Sequence, residues 1–310
     1  MLVFIVRRFG TMALTMIVVS ILLFLLLEVN VQNVAVKVLG PYSSNEQRHI
    51  WLEAHGYLEP IYVRYLHWLG RFVVGDFGES VRFKVPVGEV MWPRLGSTGI
   101  LAFATLLVVV PVSLALGVLS GMREGSKLDR TISVTSILTT SVPEFASAVL
   151  LSAIFVFSLD ILPGTSSMTD GFDIRQLVLP VMVLVLYDFG YVARMTRASM
   201  AEVMTTHYIR TAVLKGLPYK TVIMRHALRN ALIAPFTVIM LQIPWLLSGV
   251  IVVEFFFAYK GFGALILEAS LNQDVYLLEA CTMVAVFVTV MTQMISDIGY
   301  TYLNPRIRFA

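Results

Sequence analysis

Of 310 residues, 57% are hydrophobic and only 14% are charged, whereas a soluble domain of this length carries about a quarter charged residues. Inside lipid every backbone N–H and C=O needs an internal partner, so a chain this apolar is expected to form helices or a closed barrel, and its long continuous apolar runs, with no alternation at every second residue, select helices. A net charge of +3 with no separate basic block argues against nucleic acid, and the single cysteine, Cys281, excludes an intramolecular disulfide or a cysteine-based metal cluster within the chain.

A crossing takes about 20 mostly apolar residues. In chain order the candidates are residues 9–27, 95–122, 131–159, 177–193, 230–253 and 280–302, which gives an all-α polytopic membrane protein with about six transmembrane helices. Arg7 and Arg8 precede the first of these, as in a secretory signal. Its apolar run exceeds the usual 7–15 or so residues and no small-x-small site follows, so it is read as an uncleaved span. The third run contains Pro143 and Glu144, the fourth ends at Asp188 and the sixth contains Asp297, which leaves these boundaries the least defined.

Lys and Arg set the orientation. The side holding the N-terminus has 14 basic residues against three acids, among them Arg7, Arg8, Arg123, Lys127, Arg130, Arg194, Arg197, Arg306 and Arg308; the opposite side has nine basic and 14 acidic. Both termini are therefore expected in the cytoplasm. Two polar stretches are long enough to carry function: an outer one at residues 30–94, with helix-length segments, and an inner one at 194–230.

Within the inner stretch, Tyr208, Ile209, Ala212 and Val213 fall on one face of a short helix. Thr205 or Thr206 is placed to cap its start, and Gly216 followed by Pro218 to stop it. Such a two-turn helix is unstable alone in water. Its apolar face either lies on lipid headgroups, with Arg and Lys meeting anionic lipid, or docks on a cytoplasmic partner.

Here the sequence resembles a known family. Tyr208-Ile209-Arg210-Thr211-Ala212, then Lys215-Gly216, is similar to the cytoplasmic signature of permease subunits of binding-protein-dependent ATP-binding-cassette importers, in the dipeptide/oligopeptide/nickel branch. Arg225 to Asn230 fits the branch pattern Arg-His-Ala-Leu-Arg-Asn. Further resemblances are spread along the chain: Gly75-Asp76-Phe77-Gly78-Glu79-Ser80 with Pro86-Val87, Leu128-Asp129-Arg130, Ser141-Val142-Pro143, Ala193-Arg194-Met195-Thr196-Arg197, Glu254 with Lys260-Gly261-Phe262-Gly263, Asn272-Gln273-Asp274 and Asn304-Pro305-Arg306. Lys260 stands where proline is usual.

The resemblance implies a type I, MetI-like permease fold: a first transmembrane helix with its outer loop at 1–94, then a five-helix core at 95–310 carrying a coupling segment at 194–230. It also implies a bacterial or archaeal plasma membrane and a transport path for short peptides or a related small solute. The implied partners are a second homologous permease, usually forming a heterodimer, two ATPase subunits, an extracytoplasmic substrate-binding protein and membrane lipid. No Gly-x-x-x-x-Gly-Lys-Ser/Thr phosphate cradle occurs in the chain. No catalytic residue, metal site or cofactor is therefore expected here, and ATP-Mg belongs on the partner subunits. Tyr208, Ile209, Arg210, Thr211, Ala212, Lys215 and Gly216 are the expected ATPase-coupling residues. Glu144, Glu254, Gly261 and Gly263 are the expected pathway or gate residues, each weighed against a structural role: a satisfied carboxylate at a kink for Glu144, an interfacial aromatic belt for residues 254–263. An ion pair with Arg194, or a water contact, is expected for Asp188 and is weighed against a substrate contact. Glu268, Asp274 and Glu279 either meet a binding protein or are solvated. His55 and His67 stand alone, without metal-ligand spacing. A self-sufficient secondary transporter or channel would need paired intramembrane charges or an inverted repeat, and an intramembrane enzyme a catalytic motif; the sequence displays neither.

Overall fold

The computed structural model describes residues 2–28, 31–169, 171–248 and 250–303. Asn30, the closing Asn304-Pro305-Arg306 element and Arg308 lie outside the described residues. The chain is helical along most of its length. The first helix, α1 (Leu2–Glu28), covers the first expected span, and α2 (Val31–Leu39), α3 (Asn45–Ala54) and α4 (Ile61–Val73) build the outer stretch. α3 starts at a capping box, in which the Ser44 hydroxyl accepts from the Gln47 N–H and the Gln47 side chain accepts from the Ser44 N–H. Next comes α5 (Val87–Met122), the second span.

The third expected span is broken. α6 (Lys127–Ser141) and α7 (Glu144–Ser152), continued by a π-helical turn at Ala153–Ser158, meet at 99°. Pro143 lacks an N–H and pushes the residue before it out of the α region, and Val142 is extended at φ −86°, ψ 123°. The fourth span, α8 (Ile174–Met204), runs well past the expected end at 193. A short helix, α9 (His207–Leu214), follows.

The fifth expected span also breaks. α10 (Tyr219–Thr221), a π segment (Val222–Ala227) and α11 (Leu228–Ala231) lead at a 50° bend into α12 (Ile233–Ser248). Pro235 accounts for the break at Leu232, because its ring crowds the carbonyl four residues earlier. α13 (Ile251–Phe256) and α14 (Phe262–Leu271) are too short to cross, and α15 (Val275–Leu303) is the last span. Among the described residues four helices are long and apolar enough to cross a membrane, and up to six crossings result if each bent pair counts as one.

Contacts divide the chain into two compact units, residues 1–98 with 261–291 and residues 99–260 with 292–310. In the first, Val87, Met91, Phe262, Leu265, Leu277 and Cys281 form an apolar core. A buried polar knot lies at the end of α1: Glu28 accepts from the Arg64 guanidinium at 2.7 Å and from the Tyr57 hydroxyl at 2.9 Å. Burial, and secondarily the Glu28 charge, push the Tyr57 hydroxyl far above its ordinary pKa, so it stays a donor.

Two expected outer-surface acids are in fact internal to this unit. Asp274 is fully buried: it accepts from the Ser80 hydroxyl and the Arg82 N–H, and it receives the Leu277 N–H at the start of α15. It thus ties the Gly75–Ser80 element to the Asn272-Gln273-Asp274 element. Glu279 is 1% exposed and accepts from the Trp68 indole at 2.9 Å. Carboxylates taken out of water need such donors. Glu268 alone of the three is partly exposed, about 4 Å from Arg82 and Arg94.

In the second unit α8 is the central element. Its face packs on α6 so closely that a methyl group added at Gly190 would overlap the Ser136 carbonyl oxygen. Small residues let membrane helices approach in this way. Gly190→Ala should cost about 1–3 kcal/mol, the usual range for overpacking a tight core, read as a lower melting temperature of the purified protein in detergent.

Candidate functional site

The inner stretch is organised by α8, α9 and the segment that follows. At its base lies a carboxylate–guanidinium pair: Arg197 Nη2 reaches Asp129 Oδ2 at 2.8 Å while Nε reaches Oδ1. Asp129 sits in the first turn of α6, where the helix dipole favours an anion, and it also accepts from the Ser120 hydroxyl and the Gly125 N–H. Ser126 caps the same helix through the Asp129 N–H. Two elements separated by 68 residues, Leu128-Asp129-Arg130 and Ala193–Arg197, are thereby joined.

α9 starts after Thr206, which is extended and whose hydroxyl donates to the Val203 carbonyl instead of capping α9. The apolar face expected for this helix divides. Ile209 (2% exposed) and Ala212 (7%) are anchored in the chain's own core, against Met200, Val222, Ile223, Ala227 and Ala231. Tyr208 and Val213 are exposed, with the Tyr208 hydroxyl accepting from the Asn230 amide at 2.8 Å. Arg210, Thr211 and Lys215 face outward. The partner-independent packing of Ile209 and Ala212 explains how so short a helix persists: tertiary contacts replace the missing length.

The end of α9 is a Schellman turn. Gly216 adopts φ +74°, its N–H donates to the Val213 carbonyl, and the Leu217 N–H donates to the Ala212 carbonyl. Pro218 then prevents continuation. The result is a short ridge in which Val213, Leu214 (78% exposed), Leu217 and Tyr219 all stand out from the fold beside Arg210 and Lys215. Apolar residues grouped in this way, rimmed by cations, mark an interaction surface.

The pathway candidates lie elsewhere. Glu144 is half-buried in the first turn of α7, directly after Pro143. Glu254 is fully buried on α13. Gly261 is the N-cap of α14 and Gly263 is buried within it; between them, the Phe262 N–H donates to the Thr98 hydroxyl at 2.7 Å. In the 254–263 segment Phe255 is exposed while Phe257, Tyr259 and Phe262 are buried, so this stretch is only in part a surface belt. The expected Asp188–Arg194 ion pair is absent: Arg194 Nε donates to the Gly190 carbonyl, and neither Asp188 oxygen meets a protein donor. Among the described residues no group of three or more His, Cys, Asp or Glu is placed to hold a metal.

Residues 113–309 match the family model for the binding-protein-dependent transport system inner membrane component, and residues 1–115 match the N-terminal model of such membrane components. The chain belongs to this family. It is accordingly the permease of an ATP-binding-cassette importer. The oligopeptide transport system permease protein AppB of Bacillus subtilis is 33% identical over 298 residues, covering 94% of both chains. The dipeptide transport system permease protein DppB of Escherichia coli strain K12 is 29% identical and covers 99% of both. A solved chain of the inward-facing MetNI methionine ABC transporter superposes with a TM-score of 0.54 at 16% identity, covering 70% of this permease and 96% of that chain, which shows the shared fold.

Proposed function

We propose that this permease forms, with a second and homologous permease, the path by which short peptides enter the cell, and that it is driven through the ridge at α9 by two ATPase subunits carrying ATP-Mg. An extracytoplasmic binding protein delivers the solute, and both termini face the cytoplasm, in keeping with the basic bias of residues 194–229. Residues 1–94 then supply the first helix and outer loop, residues 95–310 the core, and 194–230 the coupling segment. Tyr208, Arg210, Thr211, Val213 and Lys215 contact the ATPase, while Ile209, Ala212 and Gly216 hold the helix in shape. Glu144, Glu254, Gly261 and Gly263 belong to the path or its outer gate. The relatives' transport of oligopeptides and dipeptides supports the solute class.

The observation that carries the reading is the combination at α9 of a buried anchor with an exposed apolar ridge. A force applied to the ridge passes through Ile209 and Ala212 into the core that α8 shares. Coupling requires such an element, biased by both sites.

Gly216→Trp tests it. No atom lies within 4 Å of where the new side chain begins, so its first carbon meets no neighbour. The left-handed backbone costs about 1–2 kcal/mol for a non-glycine residue and re-aims the turn. In proteoliposomes with ATPases, second permease and binding protein, the parent should take up a labelled dipeptide only with ATP. The variant should hydrolyse ATP with uptake reduced at least about tenfold, equivalent to 1.4 kcal/mol of lost coupling. Parental uptake by the variant, or uphill uptake without ATPase subunits, overturns the proposal.

A further inference from the structure

Within the unit built around α8, Asp188, Tyr191, Tyr187, Trp245 and Gln242 line a cavity of about 290 Å³. That is near the lower end, about 300 Å³, of small-molecule sites. Asp188 is 1% exposed, yet neither carboxylate oxygen meets a protein donor. Buried carboxylates are ordinarily paired or hydrogen-bonded, because removal from water is costly otherwise, and ionisable groups within membrane segments mark functional sites. Arg194 reaches the same cavity, but it lies six residues, or about 9 Å, further along the helix, and its Nε is turned to the Gly190 carbonyl. Beside the carboxylate the rings of Tyr187 and Trp245 stack at 5.2 Å and 16°. Aromatic faces next to an unpartnered carboxylate are the chemistry that recognises an organic ammonium group.

We propose that this cavity is a subsite of the transport path that receives the ammonium group of an amine-bearing solute, with Asp188 as its anionic pole and the Tyr187–Trp245 pair as its aromatic wall. The proposal rests on the peptide-import reading and adds to it which end of the solute the membrane core holds. A free peptide N-terminus satisfies this requirement; an anionic or N-blocked solute does not.

Two measurements test it. Cys281 is the one cysteine of the chain and is buried, so Tyr191→Cys places a single accessible thiol on the cavity wall. In the purified full-length permease, a trimethylammonium-bearing methanethiosulfonate should modify this thiol about tenfold faster than a sulfonate-bearing one, relative to their rates with a free thiol in solution. Adding Asp188→Asn should abolish that preference, and Asp188→Glu should retain it. In the complete importer, Asp188→Asn should raise the half-saturating concentration for alanyl-alanine about tenfold, with ATP hydrolysis retained. Asp188→Asn removes a charge that has no protein partner, so the fold is expected to stand; Asp188→Glu provides a second variant should it not. A charge preference unaffected by Asp188→Asn, or alanyl-alanine uptake by that variant equal to the parent's, overturns the proposal. Failure of the parent importer to carry alanyl-alanine would instead overturn the peptide-import reading, while the thiol measurement still reports on the cavity.

Discussion

Replacing Arg197 by alanine is expected to destabilise the permease by about 2–4 kcal/mol, in or just below the range for removing one partner of a buried ion pair. Asp129 is 3% exposed, and without the guanidinium its charge keeps the Ser120 hydroxyl, the Gly125 N–H and, at 3.5 Å, the Ser133 hydroxyl as donors. The reverse deletion should cost less. In Asp129→Asn the Arg197 side chain remains 29% exposed and has Glu124 within 3.6 Å, so it retains water and a second carboxylate. The double variant should be more stable than the sum of the two losses, with a coupling of about 0.5–3 kcal/mol as is usual for residues in direct contact. Melting temperatures in detergent give all three values. The pair joins α6 to the inner end of α8, three residues before Met200 in the core that anchors α9, so Arg197→Ala should also lower ATP-driven uptake. A melting temperature equal to the parent's would show that the pair carries no structural load.

The crossings were legible because lipid demands long apolar runs, and composition alone marks them. Their breaks were only half legible. Pro143 announces a disruption in the third span, but the fifth reads as continuous through Pro235, since Pro180 and Pro244 show that a proline also sits within an unbroken helix. The 99° and 50° angles depend on what each half-helix packs against. The outer acids Asp274 and Glu279 were misplaced for a related reason: their donors, Ser80 and Trp68, lie 194 and 211 residues away, and nothing local reveals them. Motif by motif, the sequence could mark Leu128-Asp129-Arg130 and Ala193–Arg197 without showing that they meet. The close approach of α5 and α8 left a readable trace, since Gly117 and Gly121 are four apart and a methyl group on either would strike the α8 backbone or side chains. For α9 the apolar periodicity was correct, but periodicity is blind to which half of a stripe the chain keeps for itself. Asp188 could be counted as an intramembrane charge; that Arg194 turns away from it is a property of the fold.

That division of the α9 stripe yields the sharpest expectation. Leu214→Asp should abolish capture of the ATPase subunits and ATP-driven uptake while leaving the melting temperature of the isolated permease unchanged, because Leu214 is 78% exposed and has little packing to lose. Seating a leucine in a partner's groove contributes about 1.5–3 kcal/mol, and a carboxylate in its place must also be desolvated. The combined loss of about 3 kcal/mol or more corresponds to at least about a hundredfold in affinity. Ile209→Asp, only five residues earlier, should behave differently. Ile209 is 2% exposed, so the new charge falls inside the permease's own core and lowers the melting temperature itself. If the ridge instead rests on lipid headgroups, Leu214→Asp would leave the ATPases bound with parental affinity, and the ATPase-docking assignment of residues 208–216 would fall.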